Sequence, residues 1–299
     1  MGNTLWTSAR NTNGSTSALR SWGSSISAAL VTAGLIKTTD TGQVDWTTIS
    51  YNATQGALLG YEIWRFNDGL QATRPVFIKV WYYNASSTVP PNLRILFTVG
   101  SATDGVGNVS GYGNYGAFGS GATINGIVTT PYYNLLSGDG SGIAFSFMAD
   151  DTSADSATLL VIDRFRNSAG VALGDGILFA VKTKSATSMT YLVLDGDNGY
   201  HYNYARGCSL LPLTLSAGTT MLVGGNTFFT PYYIMKQLGN GLYYSKMLLC
   251  YAAADYGFNT DQSIPFLGAT RTYKTLGVNM GYCDAKNQQY ASAAMWWSD

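Results

Sequence analysis

Short apolar stretches separated by glycine-containing turns recur along this chain from about residue 40 onward. In the clearest stretch, residues 76–83, bulky side chains occupy both odd and even positions, which is typical of a strand that is covered on both faces. Asn-Gly or Asp-Gly sequences at residues 67–69, 139–140 and 240–241 favour tight hairpin turns. Because little helical periodicity lies between these turns, the sequence predicts an all-β fold, an antiparallel β-sandwich.

A repeated motif suggests how some of the strands are connected. The sequence Thr-Pro-Tyr-Tyr occurs at residues 130–133 and again at 230–233, each time before a Gly-x-Gly turn and an apolar run. Both copies predict a strand–turn–strand unit entered through a proline, so we expect two related hairpins around 130–149 and 230–251. The predicted strands cover residues 59–66, 76–83, 93–99, 143–148, 158–162, 177–182, 189–194, 221–223 and 245–251.

The first 39 residues differ from the rest of the chain. Residues 1–15 are rich in Asn, Ser, Thr and Gly and predict an extended arm that becomes ordered against a partner. One helical face then follows, with Thr16 or Ser17 as its cap and Gly34 as its stop. We therefore divide the chain into an anchoring or interface segment, 1–39, and a β-sandwich domain, 40–299. The helical face comprises Leu19, Trp22, Ile26, Leu30 and Ala33.

The supply of catalytic side chains is small. The chain has sixteen aspartates but a single glutamate, Glu62, and a single histidine, His201. His201 stands among tyrosines, and no Gly-x-Ser-x-Gly sequence supplies a nucleophile for it. The sequence therefore predicts a protein that is not an enzyme and has no catalytic residues. A glycan-degrading enzyme that uses two aspartates remains a remote alternative, because such enzymes need only paired carboxylates.

Metal and cofactor sites are not expected either. Asp150, Asp151 and Asp155 lie in a Ser/Thr-rich turn, and residues 195–199 begin like a calcium loop whose twelfth position is Gly207 instead of Glu. The glycine-rich segment 100–126 contains no Lys or Arg for phosphate. We predict no metal and no cofactor. The three cysteines, which lack metal-ligand spacing, are Cys208, Cys250 and Cys283.

The surface is expected to be covered by partners. Only 11% of the residues are charged and the net charge is zero, whereas about 25% charged residues are usual in soluble domains. The sequence has no basic patch, so we expect no nucleic-acid binding. It has no run of eighteen apolar residues, so we expect no membrane insertion. The segment 100–126, with nine glycines, is typical of an adaptable contact loop. Three interpretations stay open: it contacts a neighbouring subunit, it forms an exposed tip that binds a receptor, or it is a loop with no binding role.

Aromatic residues near such loops and near the end of the sequence are the candidate interface. Two adjacent tryptophans, Trp296 and Trp297, either pack within their own chain or bind across an interface. The candidate interface comprises Trp22, Tyr112, Tyr115, Phe118, Tyr132, Tyr133, Tyr232, Tyr233, Trp296 and Trp297.

Several short motifs occur together between residues 45 and 110. They are Gly-Tyr-Glu-Ile-Trp-Arg-Phe-Asn-Asp at 60–68, then Gln71, Thr73 and Pro75, Ile-Lys-Val-x-Tyr at 78–82 and Val-Gly-x-x-Thr-Asp-Gly-x-Gly at 99–107. With these motifs, residues 45–110 resemble virion structural proteins of tailed bacteriophages. The resemblance implies a β-rich particle component, repeated symmetrically and without catalytic residues. Tail, baseplate, fibre and capsid surface remain open as locations.

The resulting prediction is a structural protein of the virion, associated with the tail, baseplate or fibre. Its partners would be copies of itself, with a trimer as the first expectation, and other virion proteins. Two alternatives remain open: a module that binds a receptor or glycan on the host surface, and a decoration protein on the capsid surface.

Overall fold

The fold is all-β with one helix, as the sequence predicts. It is described here from a computed structural model. The helix, α1, spans Thr16–Thr32. The structure describes residues 2–8, 15–54, 56–84, 93–110, 122–126, 132–149, 158–182, 190–195, 199–202, 208–211, 222–223, 226–227, 229–236, 242–251, 259–282 and 290–299.

Strands are numbered in chain order. The first eleven are β1 (Gly2–Ser8), β2 (Ile36–Lys37), β3 (Leu58–Arg65), β4 (Phe77–Asn84), β5 (Leu93–Gly100), β6 (Ala102–Thr103), β7 (Val109–Ser110), β8 (Ala122–Gly126), β9 (Tyr132–Gly138), β10 (Gly142–Ala149) and β11 (Thr158–Arg166). The others are β12 (Ala172–Lys182), β13 (Thr190–Asp195), β14 (Gly199–Tyr202), β15 (Cys208–Leu211), β16 (Leu222–Val223), β17 (Asn226–Thr227), β18 (Phe229–Lys236), β19 (Leu242–Tyr251), β20 (Thr260–Phe266), β21 (Ala269–Tyr282) and β22 (Tyr290–Ser298).

Two antiparallel sheets dominate the described residues. The smaller sheet has the order β2-β3-β4-β5-β8, and the larger sheet follows the path β1-β9-β10-β11-β19-β22-β21-β20. In the larger sheet, β12, β13 and β14 branch from β11, while β18 joins β19 to β15. The connection between β11 and β19 is a single paired position, Arg166 opposite Tyr244. The larger sheet therefore has two halves that are joined at a narrow junction.

The first hydrophobic core lies between the smaller sheet, α1 and one face of β9–β12. Trp64, Val80 and Phe97 of the smaller sheet belong to it and are almost fully buried. Phe97 meets Phe145 of β10 edge to face, with ring centroids 6.4 Å apart. This geometry is favourable for aromatic pairs and fixes how the two sheets pack.

A second core covers the opposite face of the same strands. Leu159, Val161 and Leu178 point into it, because neighbouring residues of a strand face opposite sides. The far half of the larger sheet, with Met247 of β19 and Met295 of β22, closes this core. The strands β9–β12 are therefore buried on both faces, so the larger sheet curls back over itself and three layers result.

The helix ends agree only in part with the sequence prediction. Ser15, and not Thr16 or Ser17, is the N-cap: its hydroxyl accepts a hydrogen bond of 3.2 Å from the Ala18 amide. At the other end, Gly34 has a positive φ of 88°, the conformation that helix stops favour. Where α1 crosses the loop before β3, a Cβ on Gly23 would lie 2.1 Å from the ring of Trp46. Only glycine permits this close approach.

The structure corrects the prediction that the N-terminal arm becomes ordered only against a partner. Residues Gly2–Ser8 form β1, which pairs with β9 of the same chain in unbroken register from Gly2 opposite Gly138 to Ser8 opposite Tyr132. These seven residues therefore need no partner to become ordered, because their own chain supplies the neighbouring strand. Its Asn3 side chain also donates a hydrogen bond of 2.8 Å to the carbonyl of Trp297.

Most of the predicted strands are present. The structure also contains three C-terminal strands that the sequence did not predict. The hairpins β9–β10 and β18–β19 are formed where the repeated motif indicates. The strands β20, β21 and β22 had no prediction, because their sequences lack the apolar alternation that signals a strand. Polar and proline residues interrupt β20, and β22 begins with small residues around Ala293.

Candidate functional site

The only glutamate of the chain lies in the first core. Glu62 is fully buried on β3, and its Oε1 accepts hydrogen bonds from Ser27 Oγ at 3.0 Å, Lys37 Nζ at 2.8 Å and Trp46 Nε1 at 3.1 Å. The hydroxyl of Tyr82 donates to Oε2 at 2.8 Å. These donors come from α1, β2, β4 and the loop between β2 and β3, so one carboxylate joins four parts of the fold.

Tyr82 shows how strongly this environment favours the neutral phenol. Burial and the neighbouring Glu62 carboxylate raise the pKa of Tyr82 well above its ordinary value. Trp46 meets the Tyr82 ring edge to face at 4.7 Å, and Trp22 does so at 5.8 Å. The Glu62 site, meaning Glu62 with its four donors, is therefore a packed and satisfied polar cluster.

Lys79, like Glu62, is a buried charged residue of the smaller sheet, but it lies on the outer face of that sheet. Its ammonium lies 3.7 Å from the ring centroid of Trp81 and 4.4 Å from that of Tyr61. It donates a hydrogen bond of 2.5 Å to the carbonyl of Gly107. Burial lowers the pKa of Lys79, and Asp104 opposes that shift. The amine holds the loop between β6 and β7 against the sheet.

A cluster of four charged residues lies at the junction of the two halves of the larger sheet. This charge cluster comprises Asp139, Asp163, Arg166 and Lys246. Asp163 and Arg166 are on β11, Asp139 is in the turn between β9 and β10, and Lys246 is on β19. Two negative and two positive groups therefore meet where β11 is joined to β19.

An irregularity in β11 brings Arg166 into this cluster. The register with β12 shifts between Arg164 and Arg166, which turns the Arg166 side chain toward Asp163, as β-bulges do. Arg166 Nη2 donates to Asp163 Oδ1 at 3.0 Å, to Asp139 Oδ2 at 3.0 Å and to Ser141 Oγ at 2.7 Å. Arg164 points the other way and donates hydrogen bonds to Asp68, which lies in the loop between β3 and β4 of the smaller sheet.

Asp163 is the centre of the cluster. Its Oδ2 accepts hydrogen bonds from the Ser245 hydroxyl and the Lys246 amide, both at 2.8 Å. Burial raises the pKa of Asp163, and the Arg166 guanidinium opposes that rise. For the less buried Asp139, Arg166 and Lys246 outweigh burial and lower its pKa to about 2. The two carboxyl groups thus have pKa values shifted in opposite directions.

The cluster continues toward the surface through the last residue of the sequence. Lys246 Nζ lies 3.1 Å from Asp299 Oδ2 and 4.2 Å from the ring centroid of Trp296. Arg271 Nε donates to Asp299 Oδ1 at 2.7 Å. Lys246 and Arg271 lower the pKa of Asp299 against the effect of burial. These contacts attach β22 to β19 and β21.

Opposite pKa shifts in two neighbouring carboxyl groups are also found in acid–base catalysis. Here, however, Asp163 is fully buried and the Asp139 side chain is 13% exposed. Both are bound by cationic and hydroxyl donors of the same chain. Among the residues that the structure describes, no group of three or more His, Cys, Asp or Glu side chains is arranged to hold a metal ion. The arrangement joins the two halves of the larger sheet.

The depressed pKa of Asp139 leads to a pH-dependent prediction. Because its pKa falls from 3.8 in the reference state to about 2 in the folded protein, the ionised group adds about 2 kcal/mol to the free energy of unfolding above about pH 4. This contribution disappears as the pH falls toward 2. Denaturant unfolding should show the wild type losing about 2 kcal/mol more than Asp139→Asn between about pH 5 and pH 2. An equal loss in both proteins would contradict the assignment.

The described candidate interface residues lie mostly inside the molecule. Trp22 is partly buried against the first core, and Trp296 is 3% exposed in the second core. Trp297 is partly buried, with Lys274 Nζ 4.9 Å from its ring centroid. The final tryptophans therefore pack within their own chain, one of the two alternatives that the sequence left open.

The other candidate residues are placed only by their backbone or not at all. Tyr132 and Tyr133 lie on β9, next to β1 and β10, and Tyr232 and Tyr233 lie on β18. Tyr112, Tyr115 and Phe118 lie outside the described residues, as does most of the second half of segment 100–126. A contact by that loop with a subunit or receptor therefore stays a prediction.

Sequence reasoning did not find the charge cluster. The predicted strand over 158–162 stopped just before Asp163, because a charge normally ends an apolar run. The available signal was the sequence Asp-Arg-Phe-Arg directly after four apolar residues. Charges that continue a buried strand need partners, and several of these partners are distant in the sequence: Asp68 precedes Arg164 by 96 positions, and Ser245 follows Asp163 by 82.

No family model matches the chain, and the search of curated proteins found no match. Within the described ranges, no helix is both long enough and apolar enough to span a membrane.

Proposed function

We propose that this protein is a non-enzymatic structural component of a bacteriophage virion, associated with the tail, baseplate or fibre, and that it assembles with copies of itself. The observation that carries the proposal is where the few charges lie. Among the cationic side chains whose burial the structure describes, six are at most 8% exposed: Lys79, Arg164, Arg166, Lys246, Arg271 and Lys274.

This burial makes the surface poorer in charge than the composition alone implies. Each buried cation is used inside the molecule, as the pairs of Arg166 with Asp163 and Arg164 with Asp68 show. A protein with few exposed charges, in a chain whose net charge is zero, has little electrostatic repulsion to keep molecules apart. Such a surface suits a protein whose working state is an assembly.

The segment with the phage-like sequence supports the same proposal. Residues 45–110 supply β3, β4, β5, the Glu62 carboxylate and the Lys79 contact with Gly107. The residues on which the resemblance rests include Glu62 and Lys79, whose contacts hold the smaller sheet to α1 and to the loop after β6, and a particle scaffold requires such a rigid sheet. The proposed mechanism is multivalent packing, in which symmetry multiplies individually weak contacts.

The association can be measured directly in solution. Light scattering coupled to size-exclusion chromatography should give a multiple of the 32.0 kDa chain mass at micromolar concentration. Because the contacts are mainly uncharged, the mass should persist in about 1 M NaCl, where surface ion pairs are screened. A mass of one chain at every concentration up to about 1 mM would overturn the assembly proposal.

A further inference from the structure

The strands at the two ends of the main path of the larger sheet, β20 and β1, differ in how they are protected. At one end of the strand path, β20 carries Pro265, which cannot donate a ladder hydrogen bond, and Asp261, which binds Lys274 at 2.6 Å. Proline and charge on an edge strand prevent further strands from adding to the sheet. The β20 edge is therefore closed to pairing.

At the other end of the path, β1 has none of these features. Its sequence, Gly-Asn-Thr-Leu-Trp-Thr-Ser, contains no charge and no proline, and its register with β9 has no bulge. Among the described strands it pairs with β9 alone. A strand of seven residues therefore presents one row of backbone N–H and C=O groups that no described strand binds, and such a row is a template for another strand.

The side chains of β1 that the structure describes favour an uncharged partner. Asn3 is held by Trp297, and Leu5, on the same face, is 43% exposed. Leu5 lies opposite Leu135, which belongs to the second core, so an exposed apolar side chain continues that core at the edge of the sheet.

We propose that β1 is a self-association strand, which pairs antiparallel with β1 of a second copy of this chain about a two-fold axis. The inference rests on the proposed assembly function and names its contact. A second copy fits because β1 meets no like charge when it pairs with itself, whereas two copies of β20 would bring Asp261 against an equally acidic strand. A two-fold contact is closed, so both edges are covered at once.

The register of this pair follows from the length of β1. Leu5 is the central residue of Gly2–Ser8, so a symmetric pair over the full strand places the two Leu5 side chains opposite each other, with Cβ atoms about 5 Å apart. The contact yields a dimer or an assembly of even copy number, which differs from the trimer that we expected from the sequence.

A charge at the centre of the strand tests the contact. With Leu5→Lys, two ammonium groups would face each other on the axis, and the dissociation constant measured by sedimentation should rise about tenfold or more. Val171→Lys is the matched control, because Val171 is 56% exposed in the loop before β12 and lies outside β1; its assembly should equal the wild type. If the wild type assembles and Leu5→Lys assembles equally well, the β1 inference fails while the assembly proposal stands.

A cross-link gives an independent positive result. Leu5→Cys should form a disulfide-linked dimer under a thiol oxidant, whereas Val171→Cys and the wild type, with its three native cysteines, should stay as single chains on a denaturing gel. No dimer with Leu5→Cys, together with normal assembly of Leu5→Lys, would refute the proposed pairing. A wild type that remains a single chain would refute both this pairing and the assembly proposal.

Discussion

Replacing Asp163 by alanine is expected to lower the free energy of unfolding by about 3–5 kcal/mol, the usual cost of removing one partner from a buried ion pair. Arg166, which is 4% exposed, would keep its charge but lose the Asp163 oxygen. The amide of Lys246 and the hydroxyl of Ser245 would lose their acceptor as well. Equilibrium unfolding in denaturant, followed by tryptophan fluorescence, measures the change.

The matched control is Asp261→Ala on β20. Asp261 also forms an ion pair, with Lys274 at 2.6 Å, but its side chain is 60% exposed. Solvent-exposed pairs contribute at most about 1 kcal/mol, so this change should be small. If both substitutions had the same small effect, the charge cluster would not be what holds the two halves of the larger sheet together.

Removing the Glu62 carboxylate is the second change with a large expected effect. Glu62→Ala should lower the free energy of unfolding by about 3–5 kcal/mol, because it leaves the buried Tyr82 hydroxyl and the Trp46 N–H without an acceptor and also opens a cavity. The same unfolding experiment measures it.

Tyr82→Phe separates the carboxylate from one of its donors. It removes a single hydrogen bond of 2.8 Å and leaves three donors on Oε1, so the expected loss is about 1 kcal/mol. Glu62→Gln, which keeps an acceptor oxygen, should fall between the two. A Glu62→Ala protein as stable as Tyr82→Phe would show that the other three donors are satisfied by solvent, contrary to the buried geometry.

The strands of the smaller sheet and the two hairpins could be predicted because their signals are local. Turn sequences such as Asp139-Gly140 fix where the chain reverses, and the bulky residues on both faces of 76–83 indicate a covered strand. The structure has β4 between β3 and β5, with Val80 in the first core and Lys79 under a loop on the other face.

The C-terminal strands and β1 could not be predicted because tertiary pairing decides them. In β21, Arg271 pairs with Asp299 and Lys274 pairs with Asp261. Both pairs form only when the chain folds, so the sequence does not show them. The polar sequence of β1 is typical of a flexible arm, and it becomes a strand because β9 presents a free edge seven residues long. Neither contact leaves a periodic signal in the sequence.

The charge cluster could not be predicted from the sequence for a related reason. Asp163 and Ser245 are 82 positions apart, and their approach depends on the curl of the larger sheet. The scarcity of charge was visible in the sequence and led to the prediction of a covered surface. The structure adds that several of those few charges are inside, which makes the described surface still less charged than expected.

We have proposed that this chain is a component of a virus particle, and purified particles test that proposal. Particles purified on a density gradient from a lysate that contains the protein can be analysed by quantitative mass spectrometry. We expect peptides of this chain in the particle band, in several copies per particle and in constant ratio to the other virion proteins across the band. Recovery of the chain only in the soluble fractions, with none in the particle band, would refute the proposed virion function.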